Sequence, residues 1–206
     1  LLDGADAVID FTVHSFTPQL LEAALATDTR LVIGTTGHDT EVLASIHEAA
    51  KSLPIVHAPN FSVGVNTLFH LTRKAAEILG TGDFDIEVTE MHHRHKIDAP
   101  SGTARRLLEI LNETTGTSYE DDVVHGRHGI TGERPRGQIG MHTLRGGDVV
   151  GDHTVIYAGD GERIELTHKA SSRNTFANGA IRAAKWLHSQ EKSSGLFDMQ
   201  DVLGLR

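Results

Sequence analysis

The sequence contains no cysteine in 206 residues. That excludes structural disulfides, a thiolate nucleophile and a Cys-ligated zinc, and it fits a reducing compartment. Positive charge is also scarce. Nineteen Lys+Arg stand against 28 Asp+Glu, a formal net charge of -9. Non-specific nucleic-acid binding needs a basic face that displaces counterions, so no nucleic-acid partner is expected. Any anionic ligand must be drawn in by local positive charge rather than by the field of the whole protein. Long apolar runs are missing as well. None approaches the roughly 18–20 residues of a membrane helix. The opening "LLDGADAVIDFTVHS" has no basic n-region and is interrupted by Asp3, Asp6 and Asp10. Together these absences predict a cytoplasmic protein with no membrane segment.

What is present alternates. Residues 5–11 (ADAVIDF), 30–37 (RLVIGTTG) and 54–61 (PIVHAPNF) read as short strands, and residues 18–28 and 39–53 as helices. Strand, helix, strand, helix, strand with brief turns argues for a parallel sheet covered by helices. The near-continuous apolar character of the strands predicts burial on both faces. Residues 62–80 should form a long helix ended by glycine. After it the pattern changes. Residues 84–93 (FDIEVTEMHH) are strand-like, with Ile86 and Val88 alternating with Glu87 and Glu90. Three further strand candidates, 138–146, 148–159 and 162–170, are joined by GGD and GDGE turns and read as an antiparallel meander. A helix with an Ala/Ile/Trp face closes the chain. The residues thus predict a parallel α/β piece followed by an α+β piece, with the boundary near Ser62 and the closing helix packing back onto the first.

No G-x-G-x-x-G occurs, although a dinucleotide-binding sheet normally opens with a strand, that loop and a helix. Either this sheet binds no dinucleotide or its first βαβ unit lies outside these residues.

An acidic protein nevertheless gathers positive charge in one place: residues 90–104, EMHHRHKIDAPSGTA. Ala104, Leu107, Leu108 and Leu111 are spaced i, i+3, i+4, i+7 and predict an amphipathic helix. Ser101 can cap it, and Gly102 admits a close ligand. The free N–H groups of the first turn, the helix dipole and the Ser101 and Thr103 hydroxyls make an anion site. If residues 90–96 are partly extended, His92 and Lys96 share a side and can act as a proton-transfer pair, oriented by Asp98. A solvated basic loop and a capped helix are the plainer readings. A zinc site is the third, but the spacing fits no standard motif, the neighbouring Lys and Arg repel a dication, and no metal is expected. The GTTG turn and the 58–61 loop follow strands, where ligands sit on parallel sheets. Tight turns explain them equally.

The stretch E-x-H-H-x-x-K-x-D-A-P-S-G-T-A resembles the signature of the dihydrodipicolinate reductase family. DFT, GTTG, APNFSVGVN, TGERPRGQIGMHTLRGGDVVGDHT, GERIELTHKASSRNTFANGA and GLFDMQDVL resemble the same family in the same order, across essentially the whole sequence. The resemblance implies a Rossmann-type α/β domain, residues 1–62 with 174–206, an α+β substrate domain with a mixed sheet, residues 63–173, and a homotetramer built on that sheet. It implies reduction of a small cyclic dicarboxylate with NADH or NADPH. It carries over His92 as a proton donor and acceptor, Lys96 as a proton donor, and His93, Gly102 and Thr103 as substrate contacts beside Ser101. Gly34, Thr35 and Thr36 fall on the nicotinamide-side turn, and Ala58, Pro59, Asn60 and Phe61 on a second cofactor loop. Two departures stand out. The family's opening strand and G-x-x-G-x-x-G loop are not in these residues, roughly a quarter of a full reductase. Val13 replaces the basic residue or histidine of many relatives. The competing expectation is a catalytically silent assembly that retains the tetramer-forming domain; a metal-dependent hydrolase using the histidines ranks below both.

Overall fold

The structure is a computed structural model that describes Leu2, residues 4–190 and residues 194–206. The chain divides into two units, Leu1–Asn66 with Asn174–Arg206, and Thr67–Arg173.

In the first unit, β1 (Ala7–Asp10), β2 (Arg30–Ile33), β3 (Pro54–His57) and β9 (Gly195–Phe197) form a parallel sheet in the order β1-β2-β3-β9. Leu31, Val32 and Ile33 are all fully buried. Their alternate side chains enter two different clusters. Leu31 and Ile33 pack with Leu20, Leu21 and Ala24 of α1 (Thr17–Thr27) and Ile46 and Ala49 of α2 (Thr40–Ala49). Val32 packs with Val56, Phe61, and Ala180, Ala183 and Leu187 of α6 (Asn174–Ser189). Burial on both faces is why the strands lack polar alternation. α1 starts with Pro18 in its first turn and stops at Asp28, whose left-handed φ of 51° ends the helix. α2 starts where the Asp39 side chain accepts from Val42 N–H. β9 and α7 (Met199–Leu203) were not predicted from sequence; three and five residues carry little periodicity.

α3 (Val63–Leu79) leads into the second unit, whose sheet has the order β5-β6-β4-β7-β8. Here the predicted meander is corrected. β6 (Ile139–Arg145) pairs in parallel with β4 (Asp85–His92) and with β5 (Val123–His125). Only β7 (Gly151–Gly159) and β8 (Glu162–Ala170) form a hairpin, and β4 lies between β6 and β7. Residues 146–150 do not fold β6 back on itself. They cross the end of β4, where Gly146 N donates to His92 O (2.9 Å) and His93 N to Val149 O (2.7 Å). A GGD turn specifies a reversal, not which strand lies alongside.

A second correction concerns Glu90. Burial alternates strictly along β4, and Glu90 and His92 lie on the buried face with Ile86 and Val88, opposite to Glu87. α4 (Gly102–Thr115) buries Ala104, Leu107, Leu108, Ile110 and Leu111. The Tyr157 hydroxyl donates to Thr72 O at 2.8 Å and ties α3 to β7.

Candidate active site

The second unit places a carboxylate where apolar side chains precede it. The Glu90 side chain is completely enclosed, so it needs several strong partners to remain charged. Oε2 accepts from His92 Nδ1 at 2.5 Å and from Arg145 Nη1 at 2.9 Å. Oε1 accepts from Arg145 Nη2 at 3.0 Å and from Ser101 N at 3.1 Å. Burial pushes the carboxyl upward, but hydrogen bonds from His92, Arg145 and Ser101 outweigh it and bring its pKa down to about 2. Arg145 also donates to Asp98 O at 2.6 Å, so one guanidinium anchors both the carboxylate and the loop after β4. A Cβ at Gly151 would sit 3.0 Å from His92 Nε2, so the bare glycine leaves room beside that nitrogen.

His153 stands opposite Glu90 across the β4–β7 pair and is buried. Burial first, then the neighbouring His92, pushes its pKa down to about 3, so it is neutral at physiological pH. Its Nε2 lies 3.1 Å from Ser101 Oγ, which also accepts from Ala104 N as the N-cap of α4. The His92 and His153 rings meet edge to face at 5.2 Å. The predicted Ser101 cap is thus present and is anchored twice, through its N–H and its hydroxyl.

The loop that follows corrects the extended reading of residues 90–96. β4 ends at His92, and the backbone then turns, with Lys96 N donating to His93 O at 3.2 Å. Strand alternation therefore does not set the side of Lys96. Its ammonium pairs with Asp98 at 2.8 Å, which holds that carboxyl below its ordinary value. Desolvation and the surrounding Arg173, His95, His92 and Lys96 push His93 downward. Local positive charge is thus concentrated around the mouth of α4, where Gly102 and Thr103 open the first turn. No atom would meet a Cβ at Gly102 within 4 Å, so the space there is open.

The first unit supplies loops of another kind at the carboxyl ends of its strands. Asp10 is buried, and its carboxylate accepts from Thr12 N (3.0 Å), Thr12 Oγ1 (2.6 Å) and Thr35 Oγ1 (2.7 Å). Gly34 N donates to Asp10 O at 2.8 Å. A Cβ at Gly34 would fall 2.3 Å from the Phe11 ring, so the bare glycine is what lets that ring lie over the turn. Gly34, Thr35 and Thr36 are therefore set by β1. In the next loop Ala58 and Phe61 are buried in the core, leaving their backbone rather than their side chains for a ligand. Asn60 Oδ1 accepts from Ser62 N, and Asn66 Nδ2 donates to Asn60 O, both at 2.8 Å. Phe11 and Val13 remain half exposed just after β1.

Two family models divide the chain between them. One described as "Dihydrodipicolinate reductase, N-terminus" matches residues 1–61, and one described as "Dihydrodipicolinate reductase, C-terminus" matches residues 64–203. The chain belongs to the dihydrodipicolinate reductase family. It is similar to the 4-hydroxy-tetrahydrodipicolinate reductase of Akkermansia muciniphila, 65% identical over 204 residues, covering 99% of this chain and 82% of the relative. That of Chromobacterium violaceum is 56% identical over 205 residues, covering all of this chain and 76% of the relative. Among solved structures, a dipicolinate-bound dihydrodipicolinate reductase from Paenisporosarcina sp. TG-14 aligns with a TM-score of 0.76 at 25% identity, covering 95% of this chain and 72% of that one.

Four residues that the sequence reading did not single out organise this reductase's buried polar groups: Asp10, Glu90, Arg145 and His153. Counting in twos from Ile86 would have placed Glu90 and His92 inward. No local signal brings Arg145 to Glu90, because that contact depends on β6 pairing with β4. Among the described residues, no group of three or more His, Asp or Glu side chains is arranged to hold a metal ion.

Proposed function

We infer that this protein reduces 4-hydroxy-tetrahydrodipicolinate to tetrahydrodipicolinate with NADH or NADPH, in diaminopimelate and lysine synthesis. Family relatives matched over essentially the whole chain are named for that reductase, which favours an active enzyme over a silent assembly. The observation that carries the chemistry is the buried Glu90–His92 pair joined to the capped mouth of α4.

In this reading, residues 1–62 with 174–206 form the dinucleotide domain, and residues 63–173 bind substrate and oligomerise. The first unit's residues fit a pyridine dinucleotide. Its loops emerge at the carboxyl ends of parallel strands, the Thr35–Asp10 bond fixes the GTTG turn, and Phe11 and Val13 offer exposed apolar surface to a flat ring. When bound, the dihydronicotinamide supplies a hydride. The turn Gly34, Thr35 and Thr36 and the loop Ala58, Pro59, Asn60 and Phe61 hold the nucleotide. The N–H groups of Gly102 and Thr103, with Ser101 and His93, hold a substrate carboxylate. His92 and Lys96 hold and deliver the proton that balances the incoming hydride. The outer face of the second sheet carries Met91, Leu144 and Ile156, all partly exposed. That face suits a second copy, and we assign the protein to a cytoplasmic homotetramer.

The test is substrate-dependent oxidation of NADH and of NADPH by the purified protein, with the substrate generated from pyruvate and aspartate semialdehyde. Turnover with at least one cofactor supports the reading. No oxidation with either sinks it.

A further inference from the structure

We propose that Glu90 is the positioning residue of this site: one buried carboxylate fixes both the ring tautomer of His92 and the mouth of α4. The proposal rests on the reductase reading for its kinetic consequences, but its geometry is independent of that reading.

An ionised carboxylate only accepts hydrogen bonds, and a guanidinium only donates them. Arg145 places one Nη on each oxygen of Glu90, at 2.9 and 3.0 Å. Both oxygens are thereby held as acceptors, and the carboxylate cannot take the proton in place of His92. The imidazole nitrogen facing Oε2, Nδ1, must carry hydrogen and donate. The other nitrogen, Nε2, is left as the one that gains and loses a proton, beside the room that Gly151 leaves. The same carboxylate accepts Ser101 N–H through Oε1, eleven residues along the chain. The ring that moves a proton and the helix turn that holds a carboxylate are thus referenced to one rigid group, braced by Arg145 and through it by Asp98 O. His153 supports the second branch, since its Nε2 meets the Ser101 hydroxyl.

Glu90→Gln separates the two branches without changing size. An amide has one oxygen and one NH2 group. Whichever way it turns, the NH2 faces one Nη of Arg145 and either His92 Nδ1 or Ser101 N–H, so the loss at Arg145 is common to both and the other partner decides the outcome. If His92 faces it, Nδ1 must accept and the hydrogen moves to Nε2, and kcat falls about 100-fold. If Ser101 faces it, the helix mouth loses its anchor and KM for the dicarboxylate rises about tenfold. A general loss of structure would produce no such split between kcat and KM.

The experiment is 15N NMR of histidine-labelled protein, parent and Glu90→Gln, alongside steady-state kinetics. The expected parent spectrum shows His92 protonated at Nδ1 and hydrogen-bonded, with Nε2 the titrating nitrogen. The expected variant shows either the tautomer switched with low kcat or the tautomer kept with raised KM. A parent His92 carrying its neutral-state hydrogen on Nε2 overturns the proposal. So does a folded variant with tautomer, kcat and KM all unchanged. If the variant does not fold, the parent spectrum alone decides. An inactive parent removes the reductase reading while the spectrum still judges Glu90. An active parent with the wrong tautomer removes Glu90 and leaves the reductase standing.

Discussion

Among the described residues, each unit buries one carboxylate near the end of a strand, and the two are served in opposite ways. Asp10 is held by two threonine hydroxyls and a backbone amide, all neutral donors. Glu90 is held by an arginine, a histidine and a backbone amide. Neutral donors shape a turn, which suits a loop that only holds. A guanidinium sets a compensating charge on the carboxylate, and the imidazole couples it to a ring that can carry a proton. On the proposed reading, the first unit is built for shape and the second for proton movement.

The largest expected disruption of that contrast is in the first unit. A Cβ at Gly179 would fall 1.7 Å from Phe61 O, a backbone atom of the 58–61 loop. Gly179→Ala should therefore drive α6 off that loop, cost about 3 kcal/mol of stability and weaken dinucleotide binding. Thermal unfolding and a fluorescence titration check both. An unchanged midpoint would mean that the α6 contact with Phe61 is slack.

Acid acts on both units, since burial also lowers His38 and His57, but the shift is largest at His153 in the second, and its sign follows from direction. The folded-state pKa of His153 is pushed down to about 3, so below pH 6.5 the unfolded chain takes up a proton that the folded one refuses. Stability is fully present above 6.5 and falls toward 3, by at most about 1.4 kcal/mol per pH unit for one group. His168, also lowered by burial, adds to that slope. Glu90 and Glu87, each lowered to about 2, contribute stability that is present above 4.5 and is lost only between 4.5 and 2. Urea denaturation across the window from 6.5 to 4.5 should show a slope that shrinks in His153→Gln. An identical slope in the variant would remove His153 as its source.

The same contrast explains what the sequence disclosed. Periodicity marked β1 to β3, α1 to α4 and the Ser101 cap, because each is specified by neighbours along the chain. The basic cluster at residues 92–96 and the resemblance pointed to the site. The Glu90 network stayed hidden for two reasons. Glu90 looked like a solvent-side carboxylate until strand parity placed it inward. Arg145 reaches it only because β4 inserts between β6 and β7, and no turn signal encodes that pairing. Asp10 was similarly hidden, since its partner Thr35 lies on the next strand's loop.

The most direct test of this division of labour is Lys96→Ala, assayed for turnover and, separately, titrated with NADH. The account predicts turnover lower by about 100-fold with the NADH dissociation constant unchanged. Undiminished turnover, or a loss of NADH affinity as large as the loss of rate, would contradict it.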